Sequence, residues 1–210
     1  MSEFIITEQP VIRGIKNVET TYYAYQFHTI CVASNYRGCG KSEGTDAFGG
    51  DDVHDVIHLL DLCEKLNSVD TKNINMFGVS RGGMMTYETL REDRRIHKAV
   101  VVAGVADCTM NYEEREDMRS LLTELIGGTP EQLPEEYSRR SAVAWADEIN
   151  APLLIFHTTG DDKVSIKQAD KLVKQLKKNQ KDYEYVTFES NIHGDLRKTD
   201  VEKIRKWLQT

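Results

Sequence analysis

The sequence predicts an α/β fold with a mostly parallel central sheet and helices on both faces. Three observations lead to this prediction. Short apolar runs alternate along the chain with longer stretches of helical periodicity. Several of these apolar runs are followed by turns that contain glycine or acidic residues. Parallel sheets bind their ligands at the carboxyl ends of their strands, where these turns would lie. Hydrophobic residues make up 40% of the 210 residues and charged residues 29%, which is the balance of a globular protein.

The same periodicity gives the individual elements. We predict strands near residues 11–15, 29–35, 74–79, 99–104, 153–157 and 184–188. We predict helices near residues 52–66, 82–91, 117–126, 165–179 and 199–208. Because strands and helices alternate, the strands are expected to pair in parallel under two layers of helices.

The whole chain, residues 1–210, has the size of one domain. The longest interruption of its pattern is the charged, helical segment 107–149, which we expect to form a cap over the site. Met110 and Tyr112 in this segment, and Tyr36 after an earlier strand, are predicted to bind substrate. The alternative for Met110 and Tyr112 is that they pack the segment onto the body of the domain.

Ser80 stands in the pentapeptide Gly78-Val79-Ser80-Arg81-Gly82, between a predicted strand and a predicted helix. A sharp turn of this kind presents the serine hydroxyl to a base, and the flanking glycines let strand and helix pass closely. The backbone N–H of Arg81, in the first turn of the helix, would point at an acyl oxyanion. We therefore predict Ser80 as a nucleophile and the Arg81 N–H as an oxyanion donor.

A candidate acid and a candidate base follow Ser80 in the sequence. Asp161 comes just after the apolar strand 153–157, and His193 lies in the loop after the strand 184–188. The chain order serine, aspartate, histidine is that of triads on α/β-hydrolase folds. Asp162 is the competing acid, although Asp161 lies nearer the strand end and Asp162 is a possible cap of the next helix.

Several segments resemble the prolyl oligopeptidase-type catalytic domain, a group within the α/β-hydrolase superfamily that includes dipeptidyl- and acylaminoacyl-peptidases. The resemblance extends over roughly residues 32–208 by pattern. The segments that carry it are Asn35–Gly40, Gly49–Val56, Ser80–Met85, Leu125–Pro130, Tyr137–Ser141, Asp161–Val164 and His193-Gly194. The resemblance implies the triad Ser80, Asp161 and His193, because the Asp-x-x-Val pattern selects the first aspartate.

Two features depart from the family pattern. Family members place a His-Gly-Gly-type or tyrosine-bearing loop after an early strand, where it supplies the second oxyanion donor, and no such loop is evident here. The N-terminal part of the fold is therefore expected to be shortened, with the loop at Gly14 as the candidate second donor. Thr158 also stands where the family usually has glycine after the histidine.

These residues predict a cofactor-independent serine hydrolase that cleaves carboxylic esters or short peptides through an acyl-enzyme. The residues do not separate esterase from peptidase. The alternative is a catalytically weak hydrolase fold that binds a ligand or a protein, which the shortened N-terminal part would explain. The oligomeric state is left open.

Composition excludes other classes of function. With 27 basic and 34 acidic residues, the formal charge of −7 argues against a nucleic-acid partner. No apolar run approaches the roughly 20 residues that span a bilayer, and the N-terminus does not resemble a signal peptide. We therefore predict a cytoplasmic protein without a membrane partner. The four cysteines lack metal-ligand spacing, and His54 and His58 have no third ligand placed by a motif, so no metal is predicted.

Overall fold

The computed structural model describes residues 4–7 and 18–210 of the chain. In this part of the chain six strands form one sheet in the order β2-β1-β3-β4-β5-β6. The strands are β1 (Phe4–Thr7), β2 (Ile30–Val32), β3 (Ile74–Val79), β4 (Lys98–Val102), β5 (Leu153–Thr158) and β6 (Tyr183–Phe188). Strands β3 to β6 pair in parallel, whereas β1 runs antiparallel to both β2 and β3. The prediction of a mostly parallel sheet is therefore confirmed.

Helices cover both faces of this sheet. They are α1 (Val18–Phe27), α2 (Val53–Glu64), α3 (Arg81–Glu92), α4 (Cys108–Glu114), α5 (Glu116–Ile126), α6 (Pro134–Arg139), α7 (Ile166–Lys178) and α8 (Lys198–Leu208). Strand side chains alternate between two cores. Met76 and Val101 pack with residues of α2, α3 and α7, while Phe77 and Val100 pack with residues of α1 and α8. None of the helices in the described ranges is long and apolar enough to cross a bilayer.

The structure differs from the sequence prediction at the N-terminal edge of the sheet. The predicted strand 11–15 lies outside the described residues. Strand β1 was not predicted, because its apolar run, Phe4–Ile6, has only three residues and is shorter than the runs from which the other strands are predicted. The predicted strand 29–35 ends at Val32, because the chain then turns through Gly38 and Gly40, whose φ angles are 71° and 62°.

The segment 107–149 contains α4, α5, α6 and two short 3₁₀ turns. Only α5 corresponds to a predicted helix. The segment is fastened to the body of the domain by arginines. Arg139 forms an ion pair with Asp51 at 2.6 Å, and Arg91 of α3 forms one with Glu148 at 2.8 Å. The buried Arg140 donates to the carbonyl oxygens of residues 47 and 48.

Parallel pairing brings the carboxyl ends of β3, β5 and β6 to one edge of the sheet. The residues that follow these strands are Ser80, the loop containing Asp161 and the loop containing His193. The three predicted catalytic residues are far apart in the sequence, and the topology of the sheet brings them to this edge.

Candidate active site

Ser80 lies in the sharp turn between β3 and α3. Its backbone angles are φ 59° and ψ −118°, a conformation that non-glycine residues rarely adopt and that is typical of a nucleophile elbow. Backbone hydrogen bonds hold the turn in this conformation. The Ser80 N–H donates to the carbonyl of Val102, and the Ser80 carbonyl accepts from the N–H groups of Gly83, Met84 and Val105. These four hydrogen bonds keep Ser80 in its strained backbone conformation.

Gly78 makes the close approach of strand and helix possible. A Cβ atom at this position would lie 2.3 Å from the carbonyl oxygen of Gly82 and 2.4 Å from the hydroxyl of Thr86. The first of these contacts is with backbone, which cannot rotate away. No side chain fits at position 78 without displacing the first turn of α3, which agrees with the role predicted for the flanking glycine.

Arg81 is the first residue of α3, so its backbone N–H has no acceptor within the helix and lies at the positive end of the helix dipole. Its side chain is occupied elsewhere. The guanidinium pairs with Asp46 at 2.5 Å and with Asp52 at 3.2 Å, and it lies over the rings of Tyr36 and Phe48 at 4.1 and 4.7 Å. The side chain thus ties the elbow to the loop 46–52, and the main chain carries the free donor.

Asp161 is held by the backbone of its own loop. Its Oδ1 accepts the N–H groups of Lys163 at 2.9 Å and Val164 at 3.0 Å, and its side chain has no exposed surface. Asp162 differs in exposure and in its partner: its side chain is 70% exposed, and its carboxylate is 3.8 Å from Lys163 Nζ. Asp162 does not cap the next helix, since the residue at that N-cap is Ser165.

His193 contacts both carboxylate oxygens of Asp161. Its Nδ1 lies 2.8 Å from Oδ2 and 3.0 Å from Oδ1. Because an ionised carboxylate only accepts, Nδ1 carries the proton in this contact. The other ring nitrogen, Nε2, is buried and has no hydrogen-bond partner among the described residues. The His193 loop also lies against the elbow, since a Cβ on Gly194 would be 3.1 Å from Cγ1 of Val79.

The environment of Asp161 favours its charged form. Burial by itself raises the pKa of this carboxyl, but the hydrogen bonds from His193 and from the Val164 and Lys163 N–H groups outweigh burial, and the pKa lies below its usual value. The carboxylate is therefore ionised at neutral pH, where it can fix the orientation of the imidazole and stabilise the imidazolium.

A second histidine supports the loop that carries Asp161, residues 159–165 between β5 and α7, which is named the acid loop. His157, in β5, is buried, and its Nε2–H donates to the carbonyl oxygen of Val164 at 2.8 Å and lies 3.6 Å from Oδ2 of Asp161. Burial lowers the pKa of His157, so this ring is neutral at neutral pH. His157 stands four positions before Asp161 in the sequence, but its contact with Val164 depends on how the loop folds back.

The remaining predicted residues are found in different settings. Tyr36 packs beneath the Arg81 guanidinium, next to the elbow. Met110 is 8% exposed, and Tyr112 packs edge-on against Tyr137 with ring centroids 5.8 Å apart. Gly14 lies outside the described residues, so its role as an oxyanion donor stays a prediction. In the described ranges, no group of three or more His, Cys, Asp or Glu side chains is placed to hold a metal ion.

Behind the elbow, Glu88 of α3 is 4% exposed. Its Oε2 accepts the N–H of Gly50 at 2.8 Å, and its Oε1 has no partner among the described residues. Burial raises the pKa of Glu88 to about 8, although the positive charge of Arg140 and the Gly50 N–H act in the opposite direction. A carboxyl group with these contacts makes the stability of the domain depend on pH.

Replacing Glu88 with glutamine is expected to stabilise the protein at alkaline pH. Between the unfolded pKa near 4.5 and the folded value of about 8, the folded chain keeps a proton that the unfolded chain has lost, so the wild-type stability falls as pH rises. The glutamine variant lacks this loss and should be more stable at pH 9 by up to about 5 kcal/mol, with little difference at pH 4. Urea unfolding from pH 4 to 9 measures the difference. Glu202→Gln, at an exposed position of α8, is the control, and parallel stability curves for Glu88→Gln and wild type would contradict the expectation.

The chain is similar to known proteins in both sequence and structure. A sequence profile described as the prolyl oligopeptidase family matches residues 17–210. The uncharacterized peptidase YtmA of Bacillus subtilis is 33% identical over 184 residues, which cover 86% of this chain and 72% of that protein. Dipeptidyl aminopeptidase B of Saccharomyces cerevisiae is 31% identical over 169 residues, which cover 74% of this chain and 19% of that protein.

Solved structures show the same fold. A puromycin hydrolase superposes with a TM-score of 0.76 and 21% identity, covering 94% of this chain and 31% of that one. A puromycin-hydrolyzing peptidase of Mycobacterium tuberculosis superposes with a TM-score of 0.68 and 24% identity, covering 78% of this chain and 24% of that one. The α/β-hydrolase fold predicted from the sequence is thereby confirmed. The chain spans less than a third of each of these two structures.

Proposed function

Because the chain belongs to the prolyl oligopeptidase family of serine peptidases, we propose that it hydrolyses short peptides or carboxylic esters through an acyl-enzyme on Ser80. In this proposal His193 is the general base and Asp161 is the acid of the triad. The observation that carries it is the pair of contacts from His193 Nδ1 to Asp161 at 2.8 and 3.0 Å, which place a ring proton on Nδ1, while the buried Nε2 has no hydrogen-bond partner among the described residues.

In the acylation step, the Ser80 oxygen attacks the substrate carbonyl while His193 Nε2 takes the hydroxyl proton. The negative charge that develops on the substrate oxygen is stabilised by the Arg81 N–H at the start of α3. The imidazolium then gives its proton to the leaving amine or alcohol, and Asp161 stabilises the transient positive charge. The bond between the acyl carbon and its leaving group breaks, and the acyl group remains on Ser80.

In the deacylation step the same residues act on water. His193 Nε2 removes a proton from a water molecule, whose oxygen attacks the acyl carbon. The Ser80 oxygen leaves and takes the proton back from the imidazolium. We propose the loop at Gly14, which lies outside the described residues, as the source of the second oxyanion donor. If only the Arg81 N–H is available, turnover would be slower by about 100- to 1000-fold.

The substrate class is proposed from the relatives and from the site. The relatives bear the names of peptidases, including a dipeptidyl aminopeptidase, so short peptides with a free amino terminus are the first class to test. Esters remain within the proposal because the same acyl-enzyme serves both. Segment 107–149 is proposed as the cap over the site, with Tyr36, Met110 and Tyr112 as contacts to the substrate.

Chemical labelling tests the proposal directly. A fluorophosphonate probe is expected to modify the native protein once, and peptide mapping by mass spectrometry should locate the modification on Ser80. Protein unfolded in urea is the control, because it lacks the base that activates the serine. A native protein that is not labelled, or that is labelled on a different residue, would favour the alternative of a hydrolase fold that only binds a ligand or a protein.

A substrate panel then separates the two classes. Aminoacyl- and dipeptidyl-nitroanilides report peptidase activity, and p-nitrophenyl acyl esters report esterase activity. We expect turnover of both, because esters with good leaving groups acylate a serine readily. A kcat/KM that is measurable only for the esters would remove the peptidase half of the proposal.

A further inference from the structure

Arg115 reaches the acid loop from the cap segment. It lies between α4 and α5, and its Nη1 donates to the carbonyl oxygen of Lys163 at 2.8 Å. That carbonyl belongs to the peptide unit between Lys163 and Val164. The N–H of the same peptide unit donates to Asp161 Oδ1 at 3.0 Å. One peptide group is therefore held at both ends, by a guanidinium at its oxygen and by the carboxylate at its nitrogen.

Resting on the proposed function, we propose that Arg115 is a positioning residue for Asp161 and acts through the peptide unit between Lys163 and Val164. The order of groups is guanidinium, carbonyl, N–H, carboxylate, imidazole. The guanidinium donates to the carbonyl and the N–H of the same peptide unit donates to the carboxylate, so these two hydrogen bonds run in one direction and polarise each other, while the imidazole N–H donates to the same carboxylate. Arg115 thus fixes the orientation of the N–H that holds the Asp161 carboxylate against His193.

The position of Arg115 is itself fixed by the fold. Its backbone ends α4 and begins α5, with φ −114° and ψ 80°. Its Nε and Nη2 atoms pair with the carboxylate of Asp117 at 2.7 and 2.6 Å, which leaves Nη1 to reach Lys163. The planar fork of a guanidinium can make both contacts at once from different nitrogens, whereas a lysine ammonium carries its three N–H donors on one nitrogen.

His157 also holds this loop. Its bond to the Val164 carbonyl fixes the next peptide unit, and its buried ring lies 3.6 Å from Oδ2 of Asp161. The acid loop is therefore fixed by the body of the domain through His157 and by the cap segment through Arg115. The second contact makes the cap segment part of the support of the triad, in addition to its proposed role in the substrate pocket.

Replacing Arg115 with glutamine or alanine is expected to lower kcat about fivefold, because one charge-assisted hydrogen bond to the acid loop is lost. KM is expected to change less than twofold, because no contact with the substrate is lost. Arg115→Lys keeps the charge and one donor and should recover part of kcat. The rate of fluorophosphonate labelling is expected to fall in parallel with kcat.

A spectroscopic readout tests the same inference without catalysis. The Nδ1 proton of His193, shared with Asp161, should give a downfield ¹H NMR signal in the wild type, assigned by its absence in His193→Gln. In Arg115→Gln we expect this signal to weaken through faster exchange with water, since the carboxylate is less firmly held. Arg91→Gln is the matched control, because Arg91 links the body to the same segment through Glu148 and does not contact the acid loop.

The outcomes separate the inference from the proposed function. An unchanged NMR signal together with wild-type kcat in Arg115→Gln would overturn the role of Arg115, whether or not the enzyme is a peptidase. Equal losses in Arg115→Gln and Arg91→Gln would also overturn it, because the effect would then come from loosening the segment. If the wild type is not labelled while the signal still weakens only in the Arg115 variants, the positioning role stands and the hydrolase proposal fails.

Discussion

Replacing Ser80 with alanine is expected to lower kcat by about 10⁶ and to abolish fluorophosphonate labelling. The nucleophile is then missing, and what remains is binding of the substrate and stabilisation of the oxyanion by backbone donors. The expected loss is close to the whole contribution of the triad, because its members act as a unit and removing one disables the others. Steady-state hydrolysis of the best substrate in the panel measures the loss.

The same substitution should leave the fold intact. The Ser80 hydroxyl makes no hydrogen bond to the described residues, and the four hydrogen bonds that hold the elbow come from the backbone. The melting temperature of Ser80→Ala is therefore expected to lie within about 2 °C of the wild type. Ser34→Ala, at an exposed position after β2, is the activity control. Residual activity within tenfold of wild type in Ser80→Ala would refute the acyl-enzyme.

Much of this fold can be predicted from the sequence because its buried strands, and the turns that follow them, are indicated by residues that are close together in the sequence. The run Leu153–Phe156 is apolar on every residue, since parallel strands are covered on both faces, and Asp161 follows it by five positions. Ser80 is marked by its glycines, which a close approach of strand and helix requires. In these places a short stretch of sequence contains the whole physical reason for the structure.

Other features depend on contacts between distant parts of the chain. Strand β1 has four residues and takes its direction from pairing with β2 and β3. The contact of Arg115 with Lys163 spans 48 positions, and the bond of Glu88 with Gly50 spans 38. Nothing in the neighbourhood of an arginine or a glutamate indicates which loop it will meet. These contacts follow from the way that the segment 107–149 and α3 pack, which periodicity does not determine.

The two aspartates after β5 lie in different environments. Asp161 and Asp162 are adjacent and chemically identical, and the sequence favours Asp161 by its distance from the strand. In the structure Asp161 is enclosed and contacts His193, whereas Asp162 points to solvent. Replacing each aspartate in turn with asparagine therefore makes the same chemical change in two different environments.

Replacing Asp161 with asparagine is expected to lower kcat by about 10⁴, while Asp162→Asn should change it less than twofold. At position 161 the backbone N–H groups of Lys163 and Val164 require an oxygen at the place of Oδ1, so the amide nitrogen must take the place of Oδ2 and face His193. The amide donates, which forces Nδ1 of His193 to accept and moves the ring proton to Nε2. The ring can then no longer remove the proton of Ser80. The kcat values of the two variants are measured on one substrate at pH 7. Comparable values would show that neither aspartate is the acid of this site.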